Sequence, residues 1–181
     1  MTTIIGVEYE DRAIVLADSR VVGESKIYSH SDMLKVINIG NFIVGAAGDV
    51  RALQVVLHTW KPPVLLAKDK NNLFEFMVAK VVPSLKQLLT DSGILDSKSS
   101  DDKDSAFELQ LIIALNGQLF EIDSDFAISR NESGYYGIGS GGDYALGALY
   151  CGATAQDAMG IAARLDSKTA EPFIMQTQVK K

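Results

Sequence analysis

The chain has 181 residues, of which 47% are hydrophobic and 22% charged, and its formal net charge is −6. That length and balance suit one globular domain with a sizeable core. The negative charge disfavours nucleic acid as a partner, and no basic patch favours a membrane surface. No apolar run approaches the roughly 20 residues of a membrane span. A single cysteine excludes an internal disulfide framework, and no secretory signal pattern is visible, so we expect a cytoplasmic protein.

The first third of the sequence predicts two hairpins and a helix. TTIIGVEY and AIVLA are rich in β-branched residues and flank the short EDR, while LKVINI and FIVGAA flank a turn at Gly40-Asn41. AIVLA is apolar on both faces, which is typical of a sheet covered on both sides. DVRALQVVLHTW then has helical spacing, with Asp49 as the predicted N-cap and Pro62-Pro63 as the stop.

A second helix is predicted over NLFEFMVAKVVPSLKQLL, with a kink at Pro83. The polar stretch that follows, residues 91–105, predicts a mobile loop rather than a domain linker. The apolar stripe of the helix is predicted to contain Phe74, Met77, Val78, Val81, Leu85 and Leu88.

The last part of the sequence predicts a hairpin, two helices and a final strand. ELQLIIALNGQLFEID turns at Asn116-Gly117, the strongest hairpin signal in the chain. YYGIGSGGDYALGALYCG reads as strand, glycine-rich turn and helix, closed by Gly152. TAQDAMGIAARL is a further helix, with Thr154 and Asp157 spaced like a capping box. FIMQTQV is the last strand.

Strands therefore come in antiparallel pairs and helices come in pairs, unlike the alternation of a parallel sheet. We predict an α+β protein in which two stacked antiparallel sheets carry a helical layer on each outer face. This four-layer α-β-β-α sandwich is expected to form a single domain over residues 1–181.

The sequence disfavours three other chemistries. Gly137 to Gly142 spell G-x-G-x-x-G, but the roughly 40 residues that remain are too few for a dinucleotide-binding sheet. A tight turn exposing a backbone N–H or the Ser140 hydroxyl is expected there instead. His30 and His58 lack the spacing of zinc ligands, so no metal site is predicted. Cys151 is interpreted as a core residue of an apolar helix.

Thr2 is the strongest candidate for chemistry. Methionine removal is expected before a small residue such as threonine, and this would leave Thr2 as the mature N-terminus. Its hydroxyl is then a nucleophile, and its α-amine, with a reference pKa of about 7.7 to 8.0, is a base. Lys35, at the start of the third strand, would lower that pKa, and Asp18, at the end of the second, would hold the lysine. The alternatives are an ordinary strand threonine, a turn aspartate and a surface lysine.

Four blocks of the sequence resemble a known family. TTIIGVEYEDRAIVLADSR looks like the mature start of proteasome β subunits and of the bacterial heat-shock-locus V (HslV) peptidase. FIVGAAGDVRAL, GIGSGGDYALGAL and AARLDSKTAEPF resemble later blocks of the same family, in the same order. The resemblance implies the N-terminal-nucleophile (Ntn) hydrolase fold.

The resemblance also implies roles for individual residues. Thr2 matches the nucleophile, Lys35 the catalytic lysine and Asp18 its acidic partner. Gly45 matches the glycine whose backbone N–H helps to form the oxyanion hole. The hydroxyl-Asp-hydroxyl set that orients the terminal amine is matched by Ser140, Asp166 and Thr169.

The wall of the substrate pocket is matched by Val21, Ile43 and Ala47, all apolar. Burial favours apolar side chains on such a wall, whereas an unpaired charge would be costly there. The sequence therefore predicts cleavage after apolar residues of moderate size, such as leucine or tyrosine.

The family implies further expectations about assembly and cofactors. We expect a homo-oligomer of stacked hexameric or heptameric rings that hydrolyses unfolded polypeptides. A partner unfoldase of the AAA+ class would use ATP, and this subunit itself would need no cofactor.

Two other functions remain open at this point. The chain could be a non-catalytic ring or scaffold subunit that retains Met1, or a small-molecule amidase of the same fold.

Overall fold

The computed structural model describes residues 2–22, 26–28, 33–95 and 107–180. The 91–105 stretch lies mostly outside the described residues. The strands, in chain order, are β1 (Thr3–Glu8), β2 (Arg12–Ala17), β3 (Val21–Val22), β4 (Ile27–Tyr28), β5 (Val36–Ile39), β6 (Phe42–Gly48), β7 (Leu109–Leu115), β8 (Gln118–Ile122), β9 (Ile128–Ser129), β10 (Tyr135–Gly139) and β11 (Ile174–Val179). The α-helices are α1 (Val50–Thr59), α2 (Leu73–Phe76), α3 (Val82–Asp91), α4 (Gly142–Tyr150) and α5 (Ala155–Leu165).

Two antiparallel sheets form the centre of the molecule. One has the strand order β10-β1-β2-β11 and the other β5-β6-β7-β8-β9, while β3 and β4 pair separately. The hairpin between β7 and β8 turns at Asn116 and Gly117, whose φ angles of 53° and 76° suit this tight connection. The predicted hairpins and the final strand are therefore confirmed.

Three apolar layers hold the elements together. Between the sheets, residues such as Ile4, Val15 and Ile112 are fully buried. Helices α4 and α5 cover the outer face of the first sheet, with Met159 in that interface. Helices α1, α2 and α3 cover the second sheet, with Phe76 in that interface. The predicted α-β-β-α sandwich is confirmed, and it explains why AIVLA is apolar on both faces.

Two local predictions are corrected by the structure. A π-helical turn, Met77–Val81, interrupts the predicted second helix just before Pro83, while Met77, Val81 and Leu85 of the expected stripe are buried as predicted. Phe74 and Val78 are 46% and 49% exposed, and the neighbouring residues Leu73 and Phe76 are buried instead.

Cys151 is also not a core residue. It is the exposed C-cap of α4, directly before Gly152, whose φ of 89° ends the helix as predicted.

No helix in the described ranges combines the length and hydrophobicity that crossing a membrane requires.

Candidate active site

The candidate site lies at one end of the sandwich. The start of β1 and the end of β2 meet there because the two strands are antiparallel, and the end of β10 joins them on the other side of β1. The start of β5 and the end of β6 reach the same end from the second sheet. Residues far apart in sequence are thereby brought together.

Thr2 is held at the centre of this end and is only 3% exposed. Its carbonyl oxygen packs against Gly139, where an added Cβ would lie 2.0 Å from that oxygen. Gly139 also has a φ of 79°, a conformation that glycine adopts without strain. The first residue of the candidate mature chain is therefore fixed by the backbone beside it.

Asp18 and Lys35 form a buried ion pair beside Thr2. The Lys35 Nζ donates to Asp18 Oδ1 at 2.7 Å, and the two side chains are 4% and 0% exposed. The Lys35 ammonium also donates to the Arg20 carbonyl oxygen. Asp18 in turn accepts the backbone N–H groups of Thr3, at 2.9 Å, and Arg20, at 3.0 Å. The lysine and the start of β1 are thus tied to one carboxylate.

Burial lowers the pKa of Lys35 below its usual value of 10.5, although the charge and hydrogen bond of Asp18 and the charge of Asp166 oppose the shift. Desolvation penalises the charged ammonium, and the two acidic residues favour it. The result is a cation at the floor of the site that gives up its proton more readily than a surface lysine does.

A second polar cluster joins Ser140, which lies between β10 and α4, to Asp166 and Thr169, which follow α5. Ser140 Oγ and Thr169 Oγ1 each donate to Asp166 Oδ2 at 2.7 Å. The backbone N–H of Lys168 donates to Asp166 Oδ1 at 3.2 Å. Thr3 Oγ1 also hydrogen-bonds Thr169 Oγ1. Because Thr3 contacts both Asp18 and Thr169, the start of β1 joins the two clusters.

Burial alone would raise the pKa of Asp166, but the hydrogen bonds from Thr169, Ser140 and the Lys168 N–H, together with the charge of Lys168, outweigh it and lower the pKa. Hydrogen bonds donated to a carboxylate stabilise its charged form. This cluster therefore holds a negative charge close to the start of the chain.

Two clefts open on either side of Thr2. The first is narrow, with about 30 Å³ of space open to water. Apart from Thr2 and Gly48, it is lined by Val21, Met33, Leu34, Lys35, Val50, Leu53, Gln54 and His58. The second is wider, at about 460 Å³, and more polar, and it is lined by Thr2, Gly48, Glu108, Gln110, Ser124, Gly139 and Ser140. An extended chain passing Thr2 would thus meet an apolar and a polar side.

Three expected residues are placed elsewhere. A Cβ added to Gly45 would meet Ile4 and Val15, so Gly45 faces the core between the sheets in the middle of β6. Ile43 and Ala47 are 1% and 0% exposed and belong to the same core. Val21 does line the apolar cleft.

Gly48 is the glycine that lies beside Thr2, since it lines both clefts. Its φ is 120°, and an added Cβ would lie 2.2 Å from the Glu108 carbonyl oxygen. GAAG offers two glycines three residues apart, and an odd shift along a strand moves a residue to the opposite face. The signal that identifies Gly48 is its position directly before Asp49, whose side chain caps α1.

Comparison with protein families and solved structures gives a consistent result. The family model for the proteasome subunit matches residues 1–62 of this chain. Comparison with curated protein sequences gives no match. The BPH protein of Thiobacillus denitrificans, which has also been solved in complex with epoxomicin, is 19% identical. Its alignment covers 99% of this chain and 98% of that chain, with a TM-score of 0.77. This chain therefore has the fold of the proteasome and HslV type.

Two further Ntn-type structures are similar over nearly the whole chain. Eukaryotic HslV from Trypanosoma brucei is 22% identical, with a TM-score of 0.67, over 97% of this chain and 98% of that chain. Anbu, an ancestral β-subunit from Yersinia bercovieri, is 14% identical, with a TM-score of 0.70, over 98% of this chain and 81% of that chain. The resemblance seen in the sequence is thus confirmed at the level of the Ntn fold.

Proposed function

We propose that this chain is a threonine peptidase that hydrolyses peptide bonds through an acyl-enzyme on Thr2, after removal of Met1. The observation that carries the proposal is the buried Lys35–Asp18 pair, because its lysine lines the same cleft as Thr2. A buried cation next to a terminal amine lowers the pKa of that amine by charge repulsion. The amine is then free to accept the hydroxyl proton near neutral pH.

The reaction begins when Thr2 Oγ attacks the carbonyl carbon of the substrate and its proton passes to the Thr2 α-amine. The tetrahedral intermediate collapses as the amine gives this proton to the leaving nitrogen, which breaks the C–N bond and leaves an ester on Thr2. Water then attacks the ester with the same amine as base, and the acid product departs while Thr2 Oγ regains a proton. In this scheme Ser140, Asp166 and Thr169 orient the amine and its water.

Gly48 replaces Gly45 as the candidate for oxyanion stabilisation. The Ala46 N–H donates to the Lys35 carbonyl oxygen at 2.9 Å, so it points toward β5. Alternate residues of a strand direct their N–H groups to the same side. The N–H of Gly48 is therefore expected on the side of Lys35 and Thr2, and a preorganised N–H there would stabilise the developing negative charge.

A ring-shaped homo-oligomer that receives unfolded polypeptides from an ATP-driven AAA+ unfoldase is part of the proposal. It is supported by the Ntn fold and by large apolar residues on the surface. Among them, Ile27 is 65% exposed, Val64 74% and Leu165 61%. Rings of six or seven subunits and a cytoplasmic location remain predictions.

The test measures intact mass and peptide hydrolysis on the same purified protein. We expect the loss of one methionine from the wild-type chain and turnover of fluorogenic peptides. Thr2→Ala should lose this turnover by orders of magnitude with an unchanged circular dichroism spectrum, while Thr2→Ser should keep part of it because a primary hydroxyl still attacks. Retained Met1 without turnover would favour the non-catalytic subunit, and hydrolysis of small free amides alone would favour the amidase.

A further inference from the structure

Arg20 contacts both polar clusters of the candidate site. Its backbone N–H donates to Asp18 Oδ2 at 3.0 Å, and its carbonyl oxygen accepts a hydrogen bond from the ammonium of Lys35. Its guanidinium extends the other way, and Nη1 donates to the carbonyl oxygen of Ser167 at 2.6 Å. Ser167 belongs to the segment after α5, residues 166–170, which is called the Asp166 turn below. One residue therefore connects the lysine cluster to the turn that carries the second carboxylate.

The Asp166 turn is held together by its own hydrogen bonds. The Thr169 N–H donates to the Asp166 carbonyl oxygen at 3.1 Å, and the Thr169 hydroxyl donates to Asp166 Oδ2 at 2.7 Å. Beside the contact of Arg20, the Ser19 N–H donates to the Ala170 carbonyl oxygen at 3.3 Å. The turn thus lies against the residues that follow β2, and the bond from Arg20 is the stronger of these two contacts because its donor is charged.

The guanidinium of Arg20 differs from those of two other arginines in its partner. Arg12 bonds to Asp11 and Arg130 bonds to Glu8, whereas Arg20 has a backbone carbonyl as its partner and no carboxylate within the described ranges. The planar guanidinium is a rigid donor, so its bond fixes a direction as well as a distance. Arg20 is half-buried and is not among the residues that line the two clefts. Its side chain therefore acts on the protein rather than on a substrate.

We propose that Arg20 is a positioning residue, whose guanidinium holds the Asp166 turn in place beside the terminal amine of Thr2. The inference rests on the peptidase function proposed above. In that mechanism Lys35 repels the amine, and the hydroxyl groups bonded to Asp166 orient it, so the two clusters must keep a fixed separation during the reaction. The charge of Asp166 opposes the lowering of the Lys35 pKa, which indicates that the clusters lie within electrostatic reach of each other.

Loss of the guanidinium is expected to affect the chemical step and not the binding of substrate. Arg20→Met keeps an apolar stem but removes the donors, which releases the Asp166 turn from the end of β2. We expect kcat to fall by about threefold to tenfold, the effect of one hydrogen bond, at an unchanged KM. Arg20→Lys keeps a charged donor and should recover part of the lost kcat. Arg12→Met removes the same charge at the other end of β2 and should change neither constant.

Hydrogen exchange gives a second measurement that needs no turnover. The amides of Lys168 and Thr169 both donate to Asp166, so their exchange reports whether the Asp166 turn opens. In Arg20→Met they should exchange at least about threefold faster than in the wild-type protein. In Arg12→Met they should exchange at the wild-type rate.

The outcomes separate this inference from the proposed function. A folded Arg20→Met protein with the kcat of the wild type, or with a raised KM and an unchanged kcat, would overturn the positioning role and leave the peptidase proposal intact. Hydrolysis of no peptide by wild-type protein that has lost Met1 would contradict the peptidase proposal instead. Exchange then decides whether Arg20 holds the turn, and equal rates in wild type and Arg20→Met would overturn the inference.

Discussion

At the scale of the residue, the site depends on charges that are buried and therefore sensitive to the loss of a partner. Asp18 is bonded to Lys35 and to two backbone N–H groups at the start of β1 and after β2. Removing one member of a buried ion pair leaves an uncompensated charge, and this usually costs more than the pair contributed. The stability of the chain thus reports on the same contacts that the proposed chemistry uses.

Lys35→Met is expected to lower the free energy of unfolding by about 3 to 5 kcal/mol, because Asp18 then stays buried without its cation. Turnover of peptides should fall by orders of magnitude at neutral pH, since the α-amine loses the repulsion that lowers its pKa. Urea denaturation and initial rates measure the two effects.

The double variant Asp18→Asn with Lys35→Met is the control for this prediction. It should recover part of the lost stability, because no charge is left buried, but none of the lost turnover. A Lys35→Met protein as stable and as active as the wild type would show that the lysine is an ordinary strand residue.

Asp166→Asn is expected to lower stability at neutral pH by about 1 to 3 kcal/mol, since it weakens the hydrogen bonds from Ser140 and Thr169. The folded-state pKa of Asp166 lies below its usual value of 3.8, so the unfolded chain binds more protons in that window. The stabilisation is therefore fully present above pH 3.8 and is lost as the pH falls through the folded-state pKa.

Denaturation at a series of pH values measures this difference. The gap between wild type and Asp166→Asn should be constant near neutral pH and should narrow in acid, and exposed Glu132→Gln should show no such gap. A gap that widens in acid would mean that Asp166 is not stabilised as a carboxylate.

Much of the site could be predicted from the sequence at this scale. The apolar pattern predicts where the strands and helices end, and Asp18, Lys35, Ser140 and Asp166 lie next to those ends. The structure brings them together in two bonded clusters. The glycine at the cleft was not accessible in the same way. Gly45 was predicted, but Gly48 lies three positions farther along β6. Residues of a strand are about 3.3 Å apart, so the predicted position was about 10 Å from the cleft and on the opposite face of the strand.

At the scale of the element, the end of β6 requires a backbone that only glycine adopts readily. Gly48 has a φ of 120°, and a side chain there would collide with the Glu108 carbonyl. Gly147, in the middle of α4, has no atom within 4 Å of the position of an added Cβ. The two glycines therefore differ in what they contribute, although each is a single residue in an apolar segment.

Gly48→Ala is expected to destabilise the fold by at least about 1 to 3 kcal/mol, the usual cost of a strained backbone conformation. Gly147→Ala should stabilise it by about 0.5 to 1 kcal/mol, because alanine is the better helix residue. Thermal denaturation of both variants measures the contrast. Equal effects of the same sign would contradict the backbone described at Gly48.

Helical segments show where prediction from sequence ends at this scale. The strands and hairpins follow from alternation and from Asn116-Gly117, but the π-turn before Pro83 inserts a residue that no apolar period signals. Phe74 and Val78, which the spacing placed in the buried stripe, are exposed. The sequence also did not show that Gln54 and His58 line the apolar cleft, because it does not reveal which side of α1 lies toward Val21.

At the scale of the whole molecule, the four layers leave apolar side chains on the outside. Tyr150 is 57% exposed, Met175 54% and Val179 61%, in addition to those named above. In the proposed ring, side chains such as these would lie against neighbouring subunits. Native mass spectrometry should therefore find six or seven subunits per ring, and a stable monomer at micromolar concentration would contradict the ring.

In the proposed mechanism, Thr2 carries both the nucleophile and the base. A peptide epoxyketone tests it directly, because its ketone reacts with a hydroxyl and its epoxide with an amine of the same residue. Incubation followed by peptide mapping should find one inhibitor bound to an N-terminal Thr2 and none in Thr2→Ala. Modification at any other residue, or an unmodified N-terminal Thr2 in a folded protein that still hydrolyses peptides, would contradict the account.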